Sequence, residues 1–420
     1  MDRQNAVAVI GAGVIGAALA ARLAEEGRPV LLLDRAEPGL GGASFGNAGH
    51  IASEHVEPLP SRQLLFGFWR DLFAFGGVLD IPMRRAAAML PWAVRFAAAA
   101  RKQAENTPLL ASLVRPAVED WQHLLRRAGR PELLRRSGHY EVWFGPSAVR
   151  HAAHQASLME RLGVPTQPAS LEWLQMIVNS LPAAESARKS HTAAALRFPA
   201  SAYVIDPLEV VRALIQHAVR SGAALERAEV RSIEAHPSGV TLHTQGGSLR
   251  VRAAVVCAGP WSPALLTPLG LRVPLEAVRG YHLELPGHQP LADATLVYSD
   301  SHIVVTPMSG RLRATSFMDF CGLDAPQDPR KPAWLLANLA RLGYRCDRAS
   351  AAWAGARPVL PDYLPGIGRV ANTDVFYAIG HQHIGLTLAA GTAELVAALV
   401  GARTPRQDLS AFDLRRFGER

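Results

Sequence analysis

A chain of 420 residues, 49% apolar and 19% charged, is too long for one ordinary core and has the composition of a soluble globular protein, so two domains are expected. The net charge of +8 comes from scattered arginines; with no basic run interleaved with aromatics, nucleic acid is excluded as a partner, while an anionic membrane surface stays open. Three cysteines without CxxC or metal-ligand spacing exclude a disulfide framework and a metal centre, and no uninterrupted apolar stretch reaches the roughly 18 residues of a membrane span.

In chain order, Val7 to Ile10 reads as an apolar strand, followed by Gly11, Gly13 and Gly16 in a GxGxxG pattern that opens a helix. Ala20 and Leu23 face a sheet, and the helix stops at Gly27. A second strand, Val30 to Leu33, ends in Asp34, placed to bond a ribose hydroxyl; the whole unit is a recipe for holding a dinucleotide. It begins almost at Met1, leaving no room ahead for a signal peptide, so the expected location is cytoplasmic, with peripheral contact on the inner face of the membrane as a second reading.

Gly39 to His55 is a glycine-rich loop suited to pressing its backbone against a flat ligand. From Ser61 to Gln103 aromatics alternate with arginines, which predicts helices that are either core or membrane-facing. Thr107-Pro108 reads as an N-cap and first helical residue of a helix running to Gly129. His139 to Phe144 and Leu196 to Ile205 read as strands. Asp206 caps a helix over Leu208 to Arg220, and the alternating stretches from Glu229 to Cys257 suggest an antiparallel sheet returning to the nucleotide domain. Tyr281 to Leu285, His302 to Thr306 and Arg311 to Phe317 suit a second, mixed sheet.

Three later segments carry chemistry: AAVVCAGPWS at Ala253 to Ser262, AGARPVLPDYLPGIG around Arg357, and FYAIGHQHIGLTLAAGT, where a helix begins near Gly385. That helix aims its free N–H groups at an anion, which suits an isoalloxazine ring gaining negative charge on reduction.

These segments, with the N-terminal fingerprint and Ser44 to Gly49, resemble the D-amino-acid oxidase superfamily of flavoproteins, in particular its D-amino-acid dehydrogenase branch near the D-hydroxyproline dehydrogenases. The resemblance implies an α/β fold: a Rossmann-type, glutathione-reductase-like FAD domain (1–60, 200–268 and 350–420) with an inserted α+β substrate domain on a mixed or antiparallel sheet (61–199 and 269–349). It implies that Gly11, Gly13, Gly16, Asp34, Arg35 and Val230 hold the ADP half of FAD, and that Ser44, Asn47, Ala48, Gly49, Ala258 and Gly259 line the cofactor. Gly385, Leu386 and Thr387 would face the pyrimidine edge, and Arg357 would fork onto the substrate carboxylate. Gly46 and Pro361 stand where covalently flavinylated relatives carry histidine or cysteine, so FAD is expected to be non-covalent. Gln382 replaces the usual glycine after Gly380-His381.

The implied activity is dehydrogenation of D-amino acids such as D-proline or cis-4-hydroxy-D-proline, by hydride transfer from Cα to flavin N5, with electrons passed to a quinone or another acceptor. Tyr281 is expected to close the site and donate to the carboxylate, or else to be core; His50 and His383 are expected to take the amine proton or read a ring hydroxyl. For Arg357 the competing reading is a salt bridge to Asp362; His381 is read as loop support and Cys257 as a small buried residue. The alternatives are a glycine- or sarcosine-type oxidase releasing peroxide, a flavin subunit inactive without partner redox chains, and a soluble NAD-dependent dehydrogenase.

Overall fold

The computed structural model describes residues 2–180, 193–344, 346, 349 and 352–418. Its first sheet runs in the order Ala224–Arg227, Val30–Asp34, Val7–Ile10, Ala253–Val256, Val375–Ile379 and Gly366–Arg369, parallel throughout except for the last strand. The four central strands are short apolar runs buried on both faces, as a parallel sheet requires, whereas the edge strand Ala224–Arg227 alternates with solvent. Val7, Val9, Val30, Leu32 and Val255 belong to one core, shared with the helices Val14–Glu25, Pro207–Arg220 and Gly385–Val400. Ala8, Ile10, Leu31, Leu33 and Val256 belong to the other, beneath Ile233, Val240 and Leu242 of an antiparallel meander, Val230–His236, Gly239–Thr244 and Gly247–Val251. Each fully buried leucine here contributes roughly 2 kcal/mol.

The second sheet is mixed. Its path is Trp353–Val359, Glu276–Pro286, Arg311–Asp319, Ile303–Met308, Thr295–Tyr298, His139–Phe144, Ala193–Phe198 and Gln167–Pro168, with Leu79–Asp80 alongside Arg311–Asp319. Trp353–Val359 is therefore an edge of this sheet, although it falls in the 350–420 range assigned from sequence to the nucleotide domain; its neighbour Gly366–Arg369 is in the first sheet. The chain thus passes from the edge of the second sheet, where Arg357 sits, to the edge of the first, with a single bridge between Val359 and His381.

Local expectations fare unevenly. Asp206 caps its helix, accepting from Leu208 N at 2.8 Å and Glu209 N at 3.3 Å. Thr107 is not an N-cap: the helix starts earlier, at Gln103–Val114, and the Thr107 hydroxyl donates back to Gln103 O at 2.8 Å. Pro108 is accommodated within that helix, whereas the chain breaks at Arg115-Pro116 before the next helix, Ala117–Arg127. The stretch Leu196 to Ile205 is two strands, Ala193–Phe198 and Ala202–Val204, separated by a turn at Pro199-Ala200.

Candidate active site

One continuous cavity runs from Val230 and Arg35 past Gly13 and Ser44 to Gly385, Thr387 and Arg357. At its first end the glycines are sterically required. Gly11 has φ of +108°, and a Cβ there would lie 2.5 Å from Cys257 O; a Cβ on Gly16 would lie 1.8 Å from Gly11 O. The helix start at Gly13 and Val14 borders the cavity, with Val14 N donating to Ser44 Oγ at 2.9 Å, so the dipole end is offered to a pyrophosphate. Asp34 is held at the rim by Ala12 N on one carboxylate oxygen (2.6 Å) and Ala36 N on the other (2.9 Å), leaving lone pairs for a ribose hydroxyl. Arg35 lies 3.9 Å over the Trp261 ring. Val230, Ala258, Gly259, Asn47 and Ala48 all border the same cavity, as do Leu386 and Thr387, whose hydroxyl accepts from Ala52 N at 3.0 Å. These residues fit an elongated dinucleotide. Gly49 does not border the cavity: it makes a left-handed turn behind the loop, φ +76°, packed against Met308 and Val204.

At the far end the strand alternation decides what faces inward. Trp353, Gly355 and Arg357 pair with His282, Gly280 and Val278 and share one sheet face, whereas Tyr281 and Arg279 point to the other. The paired glycines clear the surface: a Cβ on Gly280 would lie 2.1 Å from the Arg357 guanidinium, and one on Gly355 would lie 2.1 Å from the Trp353 ring. Arg357 and Trp353 therefore lie flat over the strands. Arg357 Nη1 donates to Phe317 O at 2.7 Å, an oxygen turned inward where Phe317, with φ of +77°, bulges out of register. Burial pulls the Arg357 pKa down, and among the described residues no carboxylate pairs with it. The competing reading fails because Asp362 is taken by Arg416 at 2.6 Å.

The expectation for Tyr281 is corrected. Its residue borders the cavity, but its hydroxyl donates to Asp319 Oδ2 at 3.1 Å, part of a buried cluster in which Lys331 sits 2.6 Å from Asp319 and 2.7 Å from Asp80. Gln382 adopts the left-handed backbone that the usual glycine allows, φ +53°, and turns its side-chain oxygen to Leu360 N at 3.2 Å, fastening the loop to the Arg357 strand. His381 bonds Thr392 at 3.1 Å and supports the same loop. Gly46 has no room for a side chain, since a Cβ would lie 1.9 Å from the Trp353 ring.

A histidine cluster opposite Arg357 was only half legible. His50 and His383 border the cavity as expected, and His55 joins them, its Nδ1 3.2 Å from His383 Nε2. Glu54 Oε1 lies 3.6 Å from Nε2 of both His50 and His55. Ser201 donates to Glu54 Oε2 at 2.8 Å; its one proton being used, His139 Nδ1, 3.0 Å away, is the donor to Ser201. Atoms of His50, Glu54 and His139 that could ligate a metal lie within 4.8 Å of one another, but Ser201 already joins two of these residues by hydrogen bonds. Burial lowers the His50, His139 and His383 pKa values, so these imidazoles are neutral at neutral pH. Burial beside Glu54 raises Glu141 to about 8. The HxxxEH spacing at His50, Glu54 and His55 was available in the sequence; the arrival of His139 from a distant strand and of Ser201 from the connection before another was not.

A family profile described as FAD dependent oxidoreductase (DAO) matches residues 6–399. The chain belongs to the DAO family of FAD-dependent oxidoreductases. It is 31% identical to a D-amino-acid oxidase of Bradyrhizobium diazoefficiens, covering 99% of this chain and 100% of that one. It is 29% identical to a D-amino acid dehydrogenase of Paramagnetospirillum magneticum, covering 98% of each. Among solved structures, glycine oxidase from Geobacillus kaustophilus superposes with a TM-score of 0.71 at 26% identity, covering 98% of each chain. The cofactor of this DAO enzyme is FAD, and the cavity's dinucleotide end is where its residues would hold the ADP half.

Proposed function

We propose that this protein is a dehydrogenase of D-amino acids, favouring cyclic secondary amines such as D-proline or cis-4-hydroxy-D-proline, and that its electrons pass to a quinone or similar acceptor more readily than to oxygen. The observation that carries the reading is the partly buried Arg357 guanidinium in the wall of the FAD cavity, held by one backbone carbonyl and, among the described residues, without a carboxylate partner. A buried cation without a counter-ion is costly, and a substrate carboxylate supplies one in bidentate geometry. The relatives named for D-amino acids support the substrate class.

Bound FAD supplies the two-electron acceptor. The chain's own residues position and desolvate. Arg357 fixes the carboxylate, the Trp353 ring forms a flat wall beside it, and the cavity walls orient the Cα–H. His383 and His50, neutral because burial disfavours their cations, are acceptors for the amine proton or for a ring hydroxyl. The His55, Glu54 and Ser201 contacts behind them hold these rings in place.

Anaerobic bleaching of the flavin absorbance by a panel of D- and L-amino acids, with sarcosine and glycine, tests the proposal. Bleaching by D-proline-type compounds, with faster recovery by a quinone analogue than by air, is the expected result. Bleaching by glycine or sarcosine alone with rapid peroxide release would replace it with an oxidase, and no bleaching by any compound would point to a missing partner chain.

A further inference from the structure

The stretch from Phe66 to Val94 departs from the rest of the surface. Phe66 is 82% exposed, Phe75 72% and Met83 88%, and Trp69, Leu90 and Val94 are each more than half exposed. The helix Ala86–Ala99 explains part of this. Its inward stripe, Met89, Trp92 and Ala99, is buried, and Trp92 Nε1 donates to Val359 O at 3.2 Å, two residues from Arg357. Its outward stripe, Ala87, Leu90, Val94 and Ala98, has the same helical spacing and is also apolar, so the helix is hydrophobic on both sides with water on one. A soluble monomer rarely leaves so many large apolar side chains on one stretch uncovered.

The charges around the stretch select what covers it. Residues 62–102 carry the exposed cations Arg62, Arg70, Arg84, Arg101 and Lys102, and Arg70 lies over the Trp69 ring at 5.1 Å. The acids in the same span are Asp71, 3.5 Å from His302, and Asp80, 2.7 Å from Lys331. An isologous contact between two copies would set these cations against each other. A bilayer carrying anionic headgroups satisfies both features, taking the aromatic and aliphatic side chains into the acyl boundary and the guanidinium groups at headgroup level.

We propose that this segment docks the protein peripherally on an anionic lipid surface, without crossing it. Among the described residues no helix is long and apolar enough to span a membrane. The contact places the helix that backs the Arg357 strand at the lipid boundary, so the proposal concerns the surface and stands whichever amine the site oxidises.

Flotation of the FAD-loaded protein with vesicles of phosphatidylcholine alone, or with equal parts phosphatidylglycerol, tests it. The anionic vesicles should carry the protein up, and binding should weaken as salt rises. The triple variant Arg70→Gln, Arg84→Gln, Arg101→Gln should lower affinity for them roughly a hundredfold. Phe66→Ser with Met83→Ser should weaken binding to both vesicle types, while Leu171→Ser, at an exposed leucine elsewhere, should not. These side chains are at the surface, so the fold is expected to survive, and an unchanged flavin spectrum verifies it. Absence of flotation with anionic vesicles, or flotation unaffected by the triple variant, overturns the proposal; so does a change confined to solution self-association by analytical ultracentrifugation, which would make the face a contact between copies.

Discussion

At the scale of single residues, the site depends on which sheet face each side chain takes. Tyr281 and Arg357 lie on neighbouring strands, and the sequence offered both as carboxylate donors; the register Gly280 to Gly355 places them on opposite faces. Tyr281→Phe is therefore expected to leave the substrate KM within about twofold and to cost only about 1 kcal/mol, because Asp319 keeps its Lys331 contact at 2.6 Å. Steady-state kinetics beside a urea melt measures both; a tenfold rise in KM would restore Tyr281 to the site. Motif residues whose role is steric were legible from sequence, since Gly11 and Gly16 are demanded by local backbone approach. Arg357 was legible as a candidate, but its freedom from Asp362 was not, because that depends on Arg416, 54 residues beyond Asp362. Glu54 and His139 were missed for the same reason: their meeting depends on tertiary packing.

At the scale of elements, sequence reading succeeded where a terminus carries its own chemistry. Asp206 shows this: Oδ1 caps the first turn of Pro207–Arg220 and Oδ2 takes Arg311 at 2.6 Å. Asp206→Ala should cost about 1–2 kcal/mol and lower the melting temperature by a few degrees, with the flavin spectrum unchanged. A calorimetric scan measures this; no shift would mean that Arg311, which also contacts Glu284 at 2.8 Å, compensates. The Thr107-Pro108 pair has the same surface signature without being a terminus, because the three residues before the helix, Ala100–Lys102, already form a 3₁₀ turn that leads into it. From Ser61 to Gln103 the expected helices form at Arg62–Gly67 and Ala86–Ala99, whereas the 3₁₀ turns and the two-residue strand Leu79–Asp80 between them have no periodicity to announce them.

At the scale of the whole molecule, the parallel sheet, the flanking helices and the second sheet were anticipated as layers, while the place of Trp353–Val359 at the edge of the second sheet was not. Burial of histidines gives the assembled fold a pH response. His282 is held at about 4 by burial with Arg313 nearby, and His381 at about 3 by burial, against 6.5 for the free side chain. Because the folded values lie below the unfolded one, the unfolded chain binds more protons between them, so stability falls as pH drops from about 6.5 towards 4. His282 alone accounts for up to roughly 3 kcal/mol of that loss. Urea midpoints for the protein at pH 7.5, 6 and 5 should decline in that order; midpoints that stay flat down to the carboxylate range would contradict the buried neutral histidines.

The central claim is that Arg357 recognises the carboxylate of an amine oxidised at FAD. The measurement that tests it most directly is anaerobic stopped-flow reduction of the flavin by D-proline and by pyrrolidine, the same ring without its carboxylate, in the wild-type protein and in Arg357→Met. Loss of one member of a buried, hydrogen-bonded charge pair costs about 2–5 kcal/mol, so the wild-type protein should prefer D-proline by a factor on the order of a hundred or more and the variant should lose that preference. A variant that binds FAD and still discriminates between the two amines as the wild type does would contradict the assignment.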